Sequence, residues 1–455
     1  MAQIKIKEGL DIPIKGQPTK WGNPVELSKP RYISLNLRHF SEVAFKLLVR
    51  LEDKVQLGQP LLEDQALPGR FLVSPACGIV HEIRRGVKRR LLDIVIEVAS
   101  QEEIMEFPKI SLQNISNTDL LDHLKRGGLF AHIRQRPFNS LANSAKQPRS
   151  IFIKAIESAP LTPPAELQVL GYEKEFQVGL DALAKLSNGN VHLVCRSHTD
   201  NQAFINAKNV HIHTAEGMHP IANHSLHIQK IDPIKSADDI VWTLTARDVV
   251  AIGYFLTHGK YFVSQVISIA GPAILENKIG YYRTRQGYPI SDLMNGRIQQ
   301  GHVRLLSGDP LTGLQVNDAD FMAFNDVVFC AIEENQSREF LHFFRLGKNK
   351  YTSSGAYLSG HEHNDKTYDF TTNQHGEKRA FIDGSIYDQY MPLSVPTMLL
   401  VKAILAEDYD LAIQLGLLEV ASEDFALPSF VCPSKIEMID IVKNCLHRHI
   451  NELLK

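Results

Sequence analysis

Histidines are the most conspicuous chemistry in this sequence. The stretch HIHTAEGMHPIANHSLHIQ carries His211, His213, His219, His224 and His227. On a strand, His211 and His213 share one face, a spacing able to chelate a metal. No cysteine or carboxylate completes the set, and alternate histidines equally suit a solvated face, so no metal ligand is assigned. The five cysteines (Cys77, Cys195, Cys330, Cys432, Cys445) are scattered without a C-x-x-C. That excludes a disulfide framework or zinc site by pattern and fits a reducing compartment. RRGVKRR, Arg84 to Arg90, sets five positive charges around Gly86. It reads as a hairpin turn, either merely solvated or contacting acidic headgroups or an acidic partner. No residue type and spacing here identifies a catalytic group.

These residues must be positioned by several domains. At 455 residues, with 44% hydrophobic content and a net charge of -2, the chain reads as multidomain and not a nucleic-acid binder. The opening MAQIKIKEGLDIPIKGQP lacks a signal-peptide core, and no run approaches the roughly 20 apolar residues of a spanning helix. GQPLLEDQALPGRFLVSPACGIVHEI alternates short apolar runs with turn residues. It resembles the barrel-sandwich fold of lipoyl and biotinyl carriers, but the tip, Glu63 to Gly69, has no lysine to modify. A scaffold, not a carrier, is expected over 1–100.

Over 113–257, strands (SIFIKAIE, NVHLVCR, NVHIHTA) alternate with helices, indicating a wound α/β domain. EKEFQVGLDALAKL places Phe176, Leu180, Leu183 and Ala184 on one stripe of a helix. SADDIVWTLTARDVVAIGYFL reads as a long helical pattern. Residues 260–330 read as a β domain, 331–385 as a β-rich connection, and 386–455 as a helical domain.

Blocks along the whole chain resemble one family. IKIKEGLDIPIKGQP, RRGVKRRLLDIVIEVA, GGLFAHIRQRPF, HVRLLSGDPLTG, MPLSVPTMLL and LGLLEVASEDFALPSFVCPSK follow in the order found in the A subunits of the Na+-translocating NADH:quinone oxidoreductases. That resemblance implies a peripheral subunit on the cytoplasmic face of a bacterial inner-membrane complex of six subunits. It implies a barrel-sandwich domain, a Rossmann-like domain related to the flavin subunit of complex I, a β-grasp domain and C-terminal helices. The complex would use NADH, flavins, iron–sulfur, ubiquinone and Na+, coupling ubisemiquinone reduction to Na+ export. The neighbouring quinone-associated membrane subunit is the expected partner, with ubiquinone a candidate contact.

The family's relatives also suggest where cofactors would sit. In the complex I relatives a Gly-rich loop wraps the flavin phosphate, since only bare backbone approaches so closely. Here LKRGGLFAHIRQRPF keeps Gly127 and Gly128 alone, and the reading is a packed loop with Arg134 and Arg136 facing out. Of the four cysteines a cluster needs, FVCPSK retains Cys432, with Ser434 where the family suggests glycine. Cys432 is therefore read as a core thiol. His219 and His227 match the family's loop, whereas His211, His213 and His224 do not. No cofactor is expected on this chain, because redox transfer needs groups that ordinary side chains do not supply. The segment carrying Lys5, Lys7, Leu10, Ile12 and Pro13 is expected near the quinone and its membrane subunit. The rival reading is a free-standing flavin or NAD(P)H oxidoreductase using the α/β domain.

Overall fold

The computed structural model describes residues 2–19, 22–336, 340–341, 344–361 and 366–453. The N-terminal part folds as two facing antiparallel sheets. One contains Tyr32–Asn36, Leu91–Val98, Gly78–Arg85 and Lys54–Val55, in that order; the other contains Phe45–Leu47, Pro60–Asp64 and Phe71–Val73. Ile33, Leu61, Leu72, Val80 and Ile94 fill the space between them. The tip that would carry a cofactor in a carrier domain is fastened down. Asp64 accepts from the backbone N–H of Ala66 and Leu67 and pairs in a buried contact with Arg70. Arg70 in turn donates to the Ala142 carbonyl at 2.7 Å, tying the tip to the next part of the chain.

That next part centres on a seven-stranded sheet. Its parallel strands are Ser150–Ala155, Val191–Arg196, His211–Glu216 and Val241–Thr245. The first lies between the second and the fourth, and the third follows the second outward. Arg134–Arg136 and Ser140–Leu141 extend the sheet antiparallel beyond Val241–Thr245. Helix Glu173–Leu186 forms as its apolar stripe requires, with Phe176, Leu180 and Leu183 fully buried. SADDIVWTLTARDVVAIGYFL is not one helix, contrary to the sequence reading. Val241–Thr245 is a strand, and helix Ala246–His258 starts only at the Thr245 cap. The run Val241–Leu244 is buried on both faces, which removes the alternation that marks a strand.

The N-terminal segment is woven into this sheet. Gln3–Lys5 adds a parallel edge strand to His211–Glu216, with Gln3 opposite Thr214. Ile4 is buried with the C-terminal helices, and Ile14 in a separate cluster with Leu161, Ala270 and Cys330.

A six-stranded sheet follows, in the order Leu314–Val316, Val303–Ser307, Val328–Glu333, Ser264–Ala270, Gly280–Arg285, Val25–Glu26. Beyond Glu333, the stretch expected to be β-rich shows, among its described residues, bridges at Tyr368 and Thr371 instead of strands. Its Gly, Asn, Ser and Thr content supplies turns, with no apolar alternation to pair. The C-terminal part is helical, led by Thr397–Leu405, Tyr409–Gln414 and Met438–Leu453. RRGVKRR forms the turn between Gly78–Arg85 and Leu91–Val98, as its spacing suggested.

Candidate functional site

A cleft of about 410 Å³ opens beyond the carboxyl ends of Ser150–Ala155 and Val241–Thr245. These two strands are neighbours, yet the chain leaves the first toward Val191–Arg196 on one side and returns to Val241–Thr245 on the other. Such a reversal of strand order leaves a crevice where α/β sheets bind ligands. Lys154 and Glu157 form a 3.0 Å ion pair on its wall. Burial opposes the charge of both; the attraction of Glu157 nevertheless holds the Lys154 pKa above its ordinary value, whereas Glu157 is raised.

The start of helix Ala246–His258 borders the cleft, and a helix N-terminus attracts anions. Here the protein supplies the anion itself. The Thr245 side chain accepts from the Asp248 N–H, and the Asp248 carboxylate accepts from the Thr245 N–H at 2.8 Å. This is a capping box readable as T-x-x-D in the sequence. His132 Nδ1–H donates to the same residue's carboxylate at 2.9 Å, leaving Nε2 to accept from the Tyr261 hydroxyl at 3.1 Å. Burial alone would raise the Asp248 pKa; the bonds from His132 and Thr245 outweigh it and hold the carboxyl below its ordinary range. Arg247 donates Nε–H to the Ser264 carbonyl, and its Nη2 has no partner among the described residues.

The glycine pair does not fit a flavin phosphate. A Cβ at Gly127 would stand 2.2 Å from the Phe255 ring, and one at Gly128 would stand 2.7 Å from Val73. Both glycines thus let the chain nest between the barrel-sandwich part and helix Ala246–His258. Leu129 and Phe130 fill the core, Phe130 edge-on to Trp242 at 5.7 Å. With the loop packed and the helix terminus capped by a carboxylate, the residues present offer no phosphate cradle here.

Arg134 and Arg136 do not face outward as the sequence reading had them. Arg134 pairs with Glu42 at 2.7 Å and lies over the Phe40 ring. Arg136 is only 1% exposed, donating to Ser225 Oγ at 2.8 Å with Glu423 3.9 Å away. Ser225 also donates to Asp424, whose pKa is raised by burial despite the nearby Arg136 charge. The cause is long-range: the C-terminal helices bring Glu423 and Asp424 onto the sheet, so the guanidinium is buried among acids.

The family-matching histidines are structural clamps. His219 bonds Ser158 at 3.0 Å through its ring Nδ1, its backbone N–H donates to Asp11, and its backbone carbonyl accepts from the Leu10 N–H. His227 Nε2–H donates to the Ile221 carbonyl at 2.8 Å, and His224 bonds the Leu244 carbonyl at 3.0 Å. Burial lowers the His219 and His227 pKa values to about 4. His211 is exposed, but His213 is buried, contrary to a fully solvated face. Its ring meets His192 at 3.0 Å and accepts from the Ala2 N–H. Sequence spacing could not indicate His192, which lies on the adjacent strand. Among the described residues no three His, Cys, Asp or Glu side chains are arranged to hold a metal ion.

Cys432 packs in the C-terminal core beside the Tyr387 hydroxyl at 3.1 Å. Ser434 donates to the Ala380 carbonyl, and the left-handed backbone falls on Lys435 instead. Of the proposed contact segment, Lys5 and Lys7 are exposed, while Leu10, Ile12 and Pro13 are half-buried. Lys5 pairs with Glu216 at 3.0 Å. Leu10 packs on the cluster of the C-terminal helices and Ile12 on that of Ile14.

Three family models match the chain: the NqrA N-terminal barrel-sandwich hybrid domain over 4–99, the NqrA second alpha/beta domain over 115–261, and the NQRA C-terminal domain over 266–318. Among curated proteins, the A subunit of the Na(+)-translocating NADH-quinone reductase of Chlamydia caviae is 37% identical, covering 99% of this chain and 97% of its own. Its namesake from Chlamydia pneumoniae is 36% identical, over 99% and 98%. That of Cellvibrio japonicus is 32% identical, over 99% and 100%. Identity at this level over essentially the whole of both chains, with the three domain matches in order, makes this chain a member of the A-subunit family of the Na(+)-translocating NADH-quinone reductases.

Proposed function

We propose that this chain is a cofactor-free, peripheral subunit on the cytoplasmic face of a Na+-translocating NADH:ubiquinone reductase. It supports assembly and the step from ubisemiquinone to ubiquinol. The observation that carries this reading is the cleft at the strand-order reversal. The helix terminus at its edge is capped by Asp248, and the separate glycine pair Gly127 and Gly128 packs against Phe255 and Val73. A packed glycine loop and a carboxylate-capped helix terminus support a structural contribution to electron transfer instead of a redox group.

The strand order around Ser150–Ala155 supports a Rossmann-like ancestry for 113–257, and a β-grasp origin is proposed for 260–330. Contact with the quinone-associated membrane subunit is proposed through the exposed side of the N-terminal segment, at Lys5 and Lys7. A complex lacking this chain is expected to keep NADH oxidation by an artificial acceptor while losing Na+-dependent ubiquinone reduction. Full ubiquinone reduction by the depleted complex would refute the proposal.

A further inference from the structure

The turn between Gly78–Arg85 and Leu91–Val98 carries charge that nothing among the described residues balances. Arg84, innermost of its five cations, is accounted for. It bonds Glu82 at 2.8 Å, lies 3.7 Å from Asp93 and donates to the Ala319 carbonyl. Arg85, Lys88, Arg89 and Arg90 are exposed, and none forms an ion pair with a described residue. At the apex between them Val87 is 87% exposed, and Leu92, beside Gly86, is 41% exposed.

The backbone adds a second, independent sign. Lys88 and Arg89 both hold left-handed conformations, φ 56 and 59°. Two consecutive positive-φ residues in a hairpin turn favour Asn and Gly; long L side chains are disfavoured there. Four like charges on one tip also repel one another. Conformational strain and repulsion both act against the turn's own stability, a pattern found where a site serves a partner.

We infer that this tip is a membrane-surface anchor, with Val87 entering the headgroup boundary of a bilayer and Arg85, Lys88, Arg89 and Arg90 on anionic lipid phosphates. An aliphatic apex ringed by long cationic side chains suits that boundary, where the apolar end is buried and the charged ends reach the phosphates. An acidic protein surface would match the charges but leave Val87 facing polar groups. The inference rests on the peripheral placement proposed above, and a test on the isolated full chain separates the two: assembly can succeed while the tip ignores lipid.

Co-sedimentation of the full chain with vesicles of phosphatidylglycerol and phosphatidylcholine measures it. Binding is expected at low salt, falling as salt rises, and absent with phosphatidylcholine alone. Each cation near an anionic surface contributes about five-fold. Lys88→Asn with Arg89→Gly, residues this turn favours, is therefore expected to weaken binding about twenty-five-fold while raising thermal stability. Val87→Asp is expected to weaken binding with the fold intact. Absence of wild-type binding, or equal binding by the double variant, overturns the inference. If the double variant binds vesicles normally but fails to join the other subunits, the tip serves an acidic protein and the lipid anchor is wrong.

Discussion

Replacing Gly127 by alanine asks whether the glycine pair is a packing device or the remnant of a phosphate loop. The added Cβ would lie 2.2, 2.5 and 2.8 Å from three atoms of the Phe255 ring. Carbon atoms normally approach to about 3.5–4.0 Å, so a large overlap must be absorbed. Phe255 cannot simply swing away: it is fully buried, with Phe107 at 5.0 Å and His123 at 4.8 Å. Overpacking of this kind costs about 1–3 kcal/mol. Gly127 has φ −76°, a conformation alanine adopts freely, so the loss reports the ring contact and not backbone strain. Phe255→Leu removes the obstructing ring atoms. In the double variant the Gly127→Ala penalty should shrink by about 1–2 kcal/mol, a coupling that a double-mutant cycle measures. Hydrogen exchange of the amides in helix Ala246–His258 gives the local stability of each variant without assuming two-state unfolding of a multidomain chain. A neutral Gly127→Ala, or penalties that simply add, would refute the packing account.

Acid should loosen the region around the histidine loop. His219 and His227 titrate at about 4 in the fold against 6.5 when exposed, because burial disfavours their charged forms. The unfolded chain therefore binds more protons between these values, and the stability present above pH 6.5 is lost as pH falls toward 4. The full effect is on the order of 3 kcal/mol per ring; a denaturation midpoint flat across that window contradicts it. Deleting residues 2–18 should destabilise the chain by itself, since it removes the buried Ile4 and Ile14 and the edge strand Gln3–Lys5. Faster proteolysis of the isolated truncated chain is expected, and unchanged resistance would place the segment's role outside the fold. Arg70→Met should free the Glu63–Gly69 tip while leaving Asp64 buried without its partner, at a cost of about 3–5 kcal/mol; unaltered thermal unfolding would show that the pair is idle.

Much of the architecture was legible because it is written locally. Apolar spacing marked helix Glu173–Leu186, and turn residues marked the hairpin at Gly86. The family and its mixed α/β, multidomain plan were legible from ordered blocks along the chain. What escaped was either buried on all sides or joined from afar. Val241–Thr245 was hidden inside an apolar run, although Thr245 and Asp248 spell the true helix start. Arg136 reads as a surface cation in its own stretch; only the C-terminal helices, carrying Glu423 and Asp424, bury it. His192 and His213 meet across neighbouring strands, and His132, Asp248 and Tyr261 converge from three parts of the chain. No spacing rule reaches such contacts.

This subunit is proposed to carry no redox group of its own. An absorbance spectrum and intact mass of the isolated chain, taken before and after adding NADH, test it most directly. A colourless protein of unmodified mass is expected, with no spectral change beyond that of the NADH itself. A flavin spectrum that bleaches on reduction would contradict it, and would mean that the loop of Gly127 and Gly128 opens to hold a cofactor.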